Sequence, residues 1–130
     1  MIDSVVVFKW RKPGYRSTFT SEHVNTMYSM VRRWYPRPVR FICITDDPSG
    51  ISTEIECAPL WRDFMDLRNP TWPSIAPNCY PRLRTFSKEF ERLAGKRFVC
   101  IDLDVVITGD LSALWDRDED FVIYASSRSN

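Results

Sequence analysis

Two carboxylates, Asp102 and Asp104, follow at once on the apolar run Phe98–Ile101 and precede a second apolar run, Val105–Ile107. A short continuous apolar run is the pattern of a strand buried on both faces. In an extended chain, residues two apart project from one face, roughly 7 Å apart at a rise of about 3.3 Å per residue. Two acids at the end of a buried strand repel each other and lose hydration. A bound divalent cation relieves both costs, and hard carboxylate oxygens suit Mg²⁺ or Mn²⁺. The chemistry implied is a metal or phosphate site. The plainer alternative is two acids that reach water where the strand ends.

Other chemistry-bearing residues sit where strands end or helices begin. Lys9, Arg11, Lys12 and Arg16 make a basic loop after the first apolar run, suited to a diphosphate or to simple solvation. Asp46 and Asp47 follow the second run, where acids read a ribose or base in nucleotide-binding sheets; Asp-Pro-Ser-Gly also builds turns unaided. Of the two, Asp46 lies nearer the strand end and is the candidate. Arg82 and Arg84 fall in the first turn of a helical pattern, where the helix dipole disfavours cations. That placement asks for an anionic partner, either a ligand or a nearby Asp or Glu. His23, the only histidine, falls in another first turn and reads as a surface or capping residue.

The elements that position these groups alternate between strand and helix. Ser4–Trp10 reads as a buried first strand, closed by the Pro13-Gly14 turn. A helix is predicted over 21–35, with Val24, Met27, Tyr28, Val31 and Trp34 on one apolar face and Pro36 and Pro38 at its end. Val39–Thr45 reads as the second strand and Ser52–Ala58 as a short third. The stretch from Leu60 to Tyr80 is irregular, rich in proline, and carries Trp61 and Trp72. A second long helix is predicted over 81–94, with Pro81 at its first position, Gly95 as its stop and Leu83, Phe86, Phe90 and Leu93 as its buried stripe. Asp110 is placed to cap a short helix, Leu111–Trp115, and Phe121–Ala125 reads as a last strand before a frayed polar tail. Such alternation implies an α/β fold, a mostly parallel sheet with helices on both faces.

The bulk composition narrows the classes. At 130 residues the chain is one domain, apolar enough (44%) to bury a core. A net charge of +1 gives no case for nucleic acid or an anionic membrane surface. No segment approaches the ~20 apolar residues of a membrane span, and the N-terminus lacks a signal-peptide pattern. Cys43, Cys57, Cys79 and Cys100 show no metal-ligand spacing, and Cys43 and Cys100 fall within predicted strands as small buried thiols. The expectation is a reducing, cytoplasmic setting.

Taken together, the segment Tyr80-Pro-Arg-Leu-Arg-Thr-Phe86 and the segment Phe98–Trp115 resemble a helix, an Asp-x-Asp strand and the following Asp-Leu-x-x-Leu-aromatic turn. These belong to glycosyltransferases of the GT-A type, in particular the retaining family that includes glycogenin and bacterial galactosyltransferases. The resemblance implies a Rossmann-like GT-A fold truncated to its nucleotide-sugar-binding half, a UDP-sugar donor and an acceptor of unknown kind. By the same resemblance, Asp102 and Asp104 hold Mn²⁺ or Mg²⁺, Asp102 also reaching the ribose. Lys9 and Trp10 lie at the donor site, Tyr15 stacks on the base, Asp46 reads base or ribose, and Arg82 steadies the diphosphate or sugar. The family's second half shapes the acceptor site and often supplies a third metal ligand, commonly histidine; the resemblance stops short of it. An open sheet edge in such a half implies a homo-oligomer. Two alternatives stand beside transfer: a non-catalytic nucleotide-sugar-binding module, and a phosphatase-like hydrolase with Asp102 as nucleophile. The latter family carries its Asp-x-Asp on the first strand, and here it comes late in the chain.

Overall fold

The computed structural model describes residues 1–11, 18–68, 70–71 and 79–124. Four parallel strands form one sheet: β1 (Ser4–Lys9), β2 (Arg40–Thr45), β3 (Glu56–Pro59) and β4 (Phe98–Cys100), in the order β3-β2-β1-β4. Helix α1 (Ser21–Trp34) joins β1 to β2. A 3-10 helix (Tyr80–Phe86) and α2 (Lys88–Ala94) lie between β3 and β4, and α3 (Ser112–Trp115) follows. The α/β class and the parallel sheet expected from the strand-helix alternation are observed. No helix among the described residues is long and apolar enough to cross a membrane.

Strand alternation sorts the core into two layers. Val5, Val7, Phe41 and Cys43 face α1 and pack on Val24, Met27 and Val31. Val6, Phe8, Ile42 and Ile44 face the other way and pack on Phe90 and Ala94 of α2. The sheet therefore carries helices on both faces, and β1, at its centre, is buried at every position. Each fully buried side chain of this size stabilises the fold by ~1.5–3 kcal/mol. The first helix begins as expected: the Nδ1 of His23 accepts from the Thr20 backbone N–H at 3.0 Å, so the histidine closes a helix end.

Several sequence expectations are corrected. The run Phe98–Ile101 is not buried on both faces, because among the described residues β4 pairs only with β1: Phe98 and Val99 are half-buried and Cys100 is exposed. The third strand starts later than Ser52, at Glu56; residues 53–54 form a turn, closed by a bond from the Ile55 N–H to the Ser52 carbonyl at 3.0 Å. The helix expected over 81–94 is two pieces. The Ser87 hydroxyl accepts from the Phe90 N–H at 3.2 Å and starts α2 afresh, and Glu89 and Glu91 in its first turn suit a helix beginning there. With the helix broken, the stripe divides: Phe90 is buried, but Leu83 and Phe86 are exposed, Phe86 by 74%. Asp110 acts one residue before the N-cap Leu111, its Oδ1 accepting from the Ser112 N–H at 2.6 Å. Residues 121–124 are exposed and form no strand. The predicted positions Tyr15, Trp72 and Ala125 and the polar tail lie outside the described residues.

Candidate functional site

In an open parallel sheet, ligands bind outside the carboxyl ends of the strands where the chain order reverses. The order β3-β2-β1-β4 puts that reversal between β1 and β4. Trp10 and Arg11 leave β1 on one side of the crevice, and Asp102 leaves β4 on the other. Pairing runs one residue beyond β4, with the Ile101 N–H donating to the Val6 carbonyl at 3.1 Å. The chain then turns, the Val105 N–H facing the Asp102 carbonyl at 3.4 Å. The extended alternation expected over Asp102–Asp104 is therefore replaced by a turn, and the spacing derived from a strand does not apply. Leu103 and Ile107 are buried and anchor the turn, leaving Asp102 and Asp104 exposed on either side of Leu103.

Arg82 reaches this turn from the 3-10 helix and forms an ion pair with Asp102 through Nη1 and Oδ1. Its guanidinium carbon lies 5.3 Å from the Phe8 ring centroid and 5.8 Å from that of Trp10, a cation–π arrangement on two aromatic faces. Its Nε is buried and has no hydrogen-bond partner among the described residues. The segment is held from behind by Trp61, whose Nε1 donates to the Pro81 carbonyl at 2.7 Å. Of the two partners open to the first-turn arginines, this structure gives both an acid of the chain: Arg82 takes Asp102 and Arg84 takes Asp63 at 2.7 Å. With Asp102 54% exposed, such a pair stabilises the fold by only ~0–1 kcal/mol. Asp104 has no hydrogen-bond partner among the described residues.

On the other side of β1, Lys9 and the acids after β2 interlock. Lys9 is buried and its Nζ donates to the Asp47 carbonyl at 2.8 Å, so this lysine ties β1 to the loop after β2. Asp46 Oδ2 accepts from the Arg11 N–H at 3.1 Å. Asp47 accepts from the Ser49 N–H at 3.0 Å and pairs with Arg11 at 3.4 Å. Those bonds, Ser49 foremost, draw the Asp47 carboxyl down to about 2. Above this tier opens a cavity of about 1040 Å³, bordered by Trp10, Arg11, Asp46, Trp61, Met65 and Arg68 among others.

The residues singled out from sequence thus fall into two groups that meet at Trp10. Trp10 and Asp46 border the cavity. Arg82 and Asp102 occupy the crevice, with Asp104 on the same turn. Lys9 lies beneath, engaged with its own chain. Arg11, expected in a basic loop suited to a diphosphate, borders the cavity, and so does Trp61, which was not singled out as a site residue. The signal for Trp61 was position, two residues beyond the end of β3. For a hard divalent cation the turn offers two exposed carboxylates, whose oxygens are of the fitting ligand type. Among the described residues no group of three or more His, Cys, Asp or Glu side chains converges. Comparison of the chain with protein-family models, curated proteins and solved structures finds no match.

Proposed function

We propose that the chain binds a nucleotide-diphospho-sugar, most simply a UDP-sugar, as a metal-dependent glycosyltransferase of the GT-A type or its donor-binding half. The observation that carries this reading is the meeting of Arg82 and Asp102, with Asp104 two residues on in the same turn, at the β1–β4 reversal of an all-parallel sheet, beside a cavity large enough for a nucleotide. Trp10 offers an aromatic face and Asp46 an acceptor for base or ribose. Arg82 supplies a planar donor fork for a diphosphate. Asp102 and Asp104 would hold Mg²⁺ or Mn²⁺, with water and phosphate oxygens completing the shell. A bound cation there would stabilise negative charge on the departing diphosphate.

A second reading on the same site is binding without turnover. Release of free sugar from UDP-glucose or UDP-galactose separates the two. Hydrolysis by Asp102 is the weaker alternative, since one of its oxygens is already engaged by Arg82; release of phosphate from an aryl phosphate, lost in Asp102→Asn, would revive it. A reducing, cytoplasmic setting suits the four free cysteines. The outer edges of β3 and β4, unpaired among the described residues, suit association between copies.

The direct test is calorimetric titration of UDP into the chain with Mn²⁺ and with EDTA. The reading expects binding that needs the metal and is lost in Asp104→Ala. Absence of binding under both conditions would sink it.

A further inference from the structure

We propose that Arg82 is an internal counter-ion that occupies Asp102 until an anionic ligand draws it away, so that cation and oxyanion bind this crevice as a coupled pair. The inference rests on the donor-site reading above and adds to it an order of exchange among the chain's own groups.

Three observations carry it. The Arg82 guanidinium lies against Asp102 Oδ1, an oxygen that a cation on this carboxylate would need. The pair is partly open to solvent, with side-chain exposures of 34% and 54%, so it can be exchanged rather than being locked into the core. Arg82 is also held independently of Asp102, by stacking on Phe8 and Trp10. The guanidinium can therefore change partners without losing its seat, and its Nε is buried with a donor still unspent. Without an anion, a cation must compete with a guanidinium for Asp102. When a diphosphate takes the arginine's donors, Asp102 is released to the cation beside Asp104. Each ligand then raises the affinity of the other by the same factor. No covalent step is involved.

The test uses the full chain, with UDP as the anionic probe and Mn²⁺ followed by electron paramagnetic resonance, corrected for Mn²⁺ held by UDP in solution. In the wild type, saturating UDP is expected to raise Mn²⁺ affinity at least tenfold. In Arg82→Gln, Mn²⁺ alone is expected to bind about tenfold more tightly than to the wild type, and UDP to raise that affinity by a factor at least threefold smaller than in the wild type. Arg84→Gln, which removes an equal charge two residues away, is expected to behave as the wild type. Arg82→Lys, which keeps the charge but not the fork, is expected to retain weak binding of Mn²⁺ alone. Thermal unfolding of each variant verifies that it is folded. An equal gain in Arg82→Gln and Arg84→Gln would reduce the effect to general electrostatics and overturn the proposal. So would UDP coupling that is undiminished in Arg82→Gln; both of these outcomes leave the donor site standing. A wild type that binds neither Mn²⁺ nor UDP would remove the donor-site reading, and the inference with it.

Discussion

At the amino ends of the strands, charged and polar groups close on one another; at the carboxyl ends they are held only in part. Before β1 and β4, the Asp3 N–H donates to the Arg97 carbonyl at 2.6 Å, and the Arg97 N–H returns to Asp3 Oδ2 at 3.0 Å. Arg40 grips Glu56 through two bonds of 2.8 and 2.6 Å. Ahead of β2, the Tyr35 hydroxyl and the Arg37 guanidinium each donate to Asp116 at 2.6 Å. The Ser4 hydroxyl, fully buried, donates to the Ala94 carbonyl at 2.6 Å. At the other end Arg82 keeps an unmatched buried donor and Asp104 faces water. Both ends draw on the same residue types. One spends them on holding the sheet together, and the other leaves capacity for a ligand. The difference predicts that mutations at the amino end act on stability and those at Arg82, Asp102 and Asp104 act on binding.

The largest effect should come from Gly95. Its φ of +92° suits only glycine, and an added Cβ would stand 2.4 Å from the Asp3 Cβ. Gly95→Ala is expected to cost on the order of 3 kcal/mol in denaturant unfolding. Gly109→Ala, which meets nothing within 4 Å, should be close to neutral. Next comes Tyr35→Phe, expected to cost about 1.5 kcal/mol by removing a bond to a charged acceptor. Burial and the Asp116 bond raise the Tyr35 hydroxyl to about 12. Because the folded state holds this proton more tightly, the stability it contributes is complete below about pH 10, the usual tyrosine value, and is lost as pH rises to about 12. Absorbance at 295 nm should show a late-ionising tyrosine that disappears in Tyr35→Phe.

Asp104→Ala should then sharpen the contrast by leaving stability within about 0.5 kcal/mol while abolishing metal-dependent UDP binding. A loss of several kcal/mol there would place the two ends in one class. The smallest effect concerns Asp47, whose lowered carboxyl contributes stability above about pH 4 that is lost as pH falls to about 2. Melting temperatures of Asp47→Asn should therefore fall less steeply across that window than those of the wild type.

The central elements were legible because one signal decided each. The apolar run Val5–Phe8 has no competing reading, and Val24, Met27 and Val31 leave α1 no other face to bury. Where two signals competed, either could win. Pro81 and Gly95 bracket a long helix, but Ser87 followed by Glu89 and Glu91 starts a new one inside the bracket, so there the local signal prevailed. The apolar run before Asp102 suggested a central strand, but there the order of the whole sheet prevailed and leaves β4 at an edge. The candidate residues could be read from their places at strand ends. Their partners could not: that Arg82 would meet Asp102, or that Lys9 would turn to the Asp47 carbonyl, depends on register between strands far apart in the chain.

Of the four strands described, the central one β1 is also the first to be made. Ser4 pairs with Arg40 on one side and with Phe98 on the other. A growing chain can therefore assemble β1, β2, β3 and α1 well before β4 leaves the ribosome, because the early pairings close the shorter loops. The face bearing Val6, Phe8, Ile42 and Ile44 waits longest, since Phe90 and Ala94, which cover it, arrive some thirty residues after β3. For that interval of synthesis the half-built sheet presents a bare apolar surface beside an open β1 edge, the kind of intermediate that a chaperone holds and that self-associates without one.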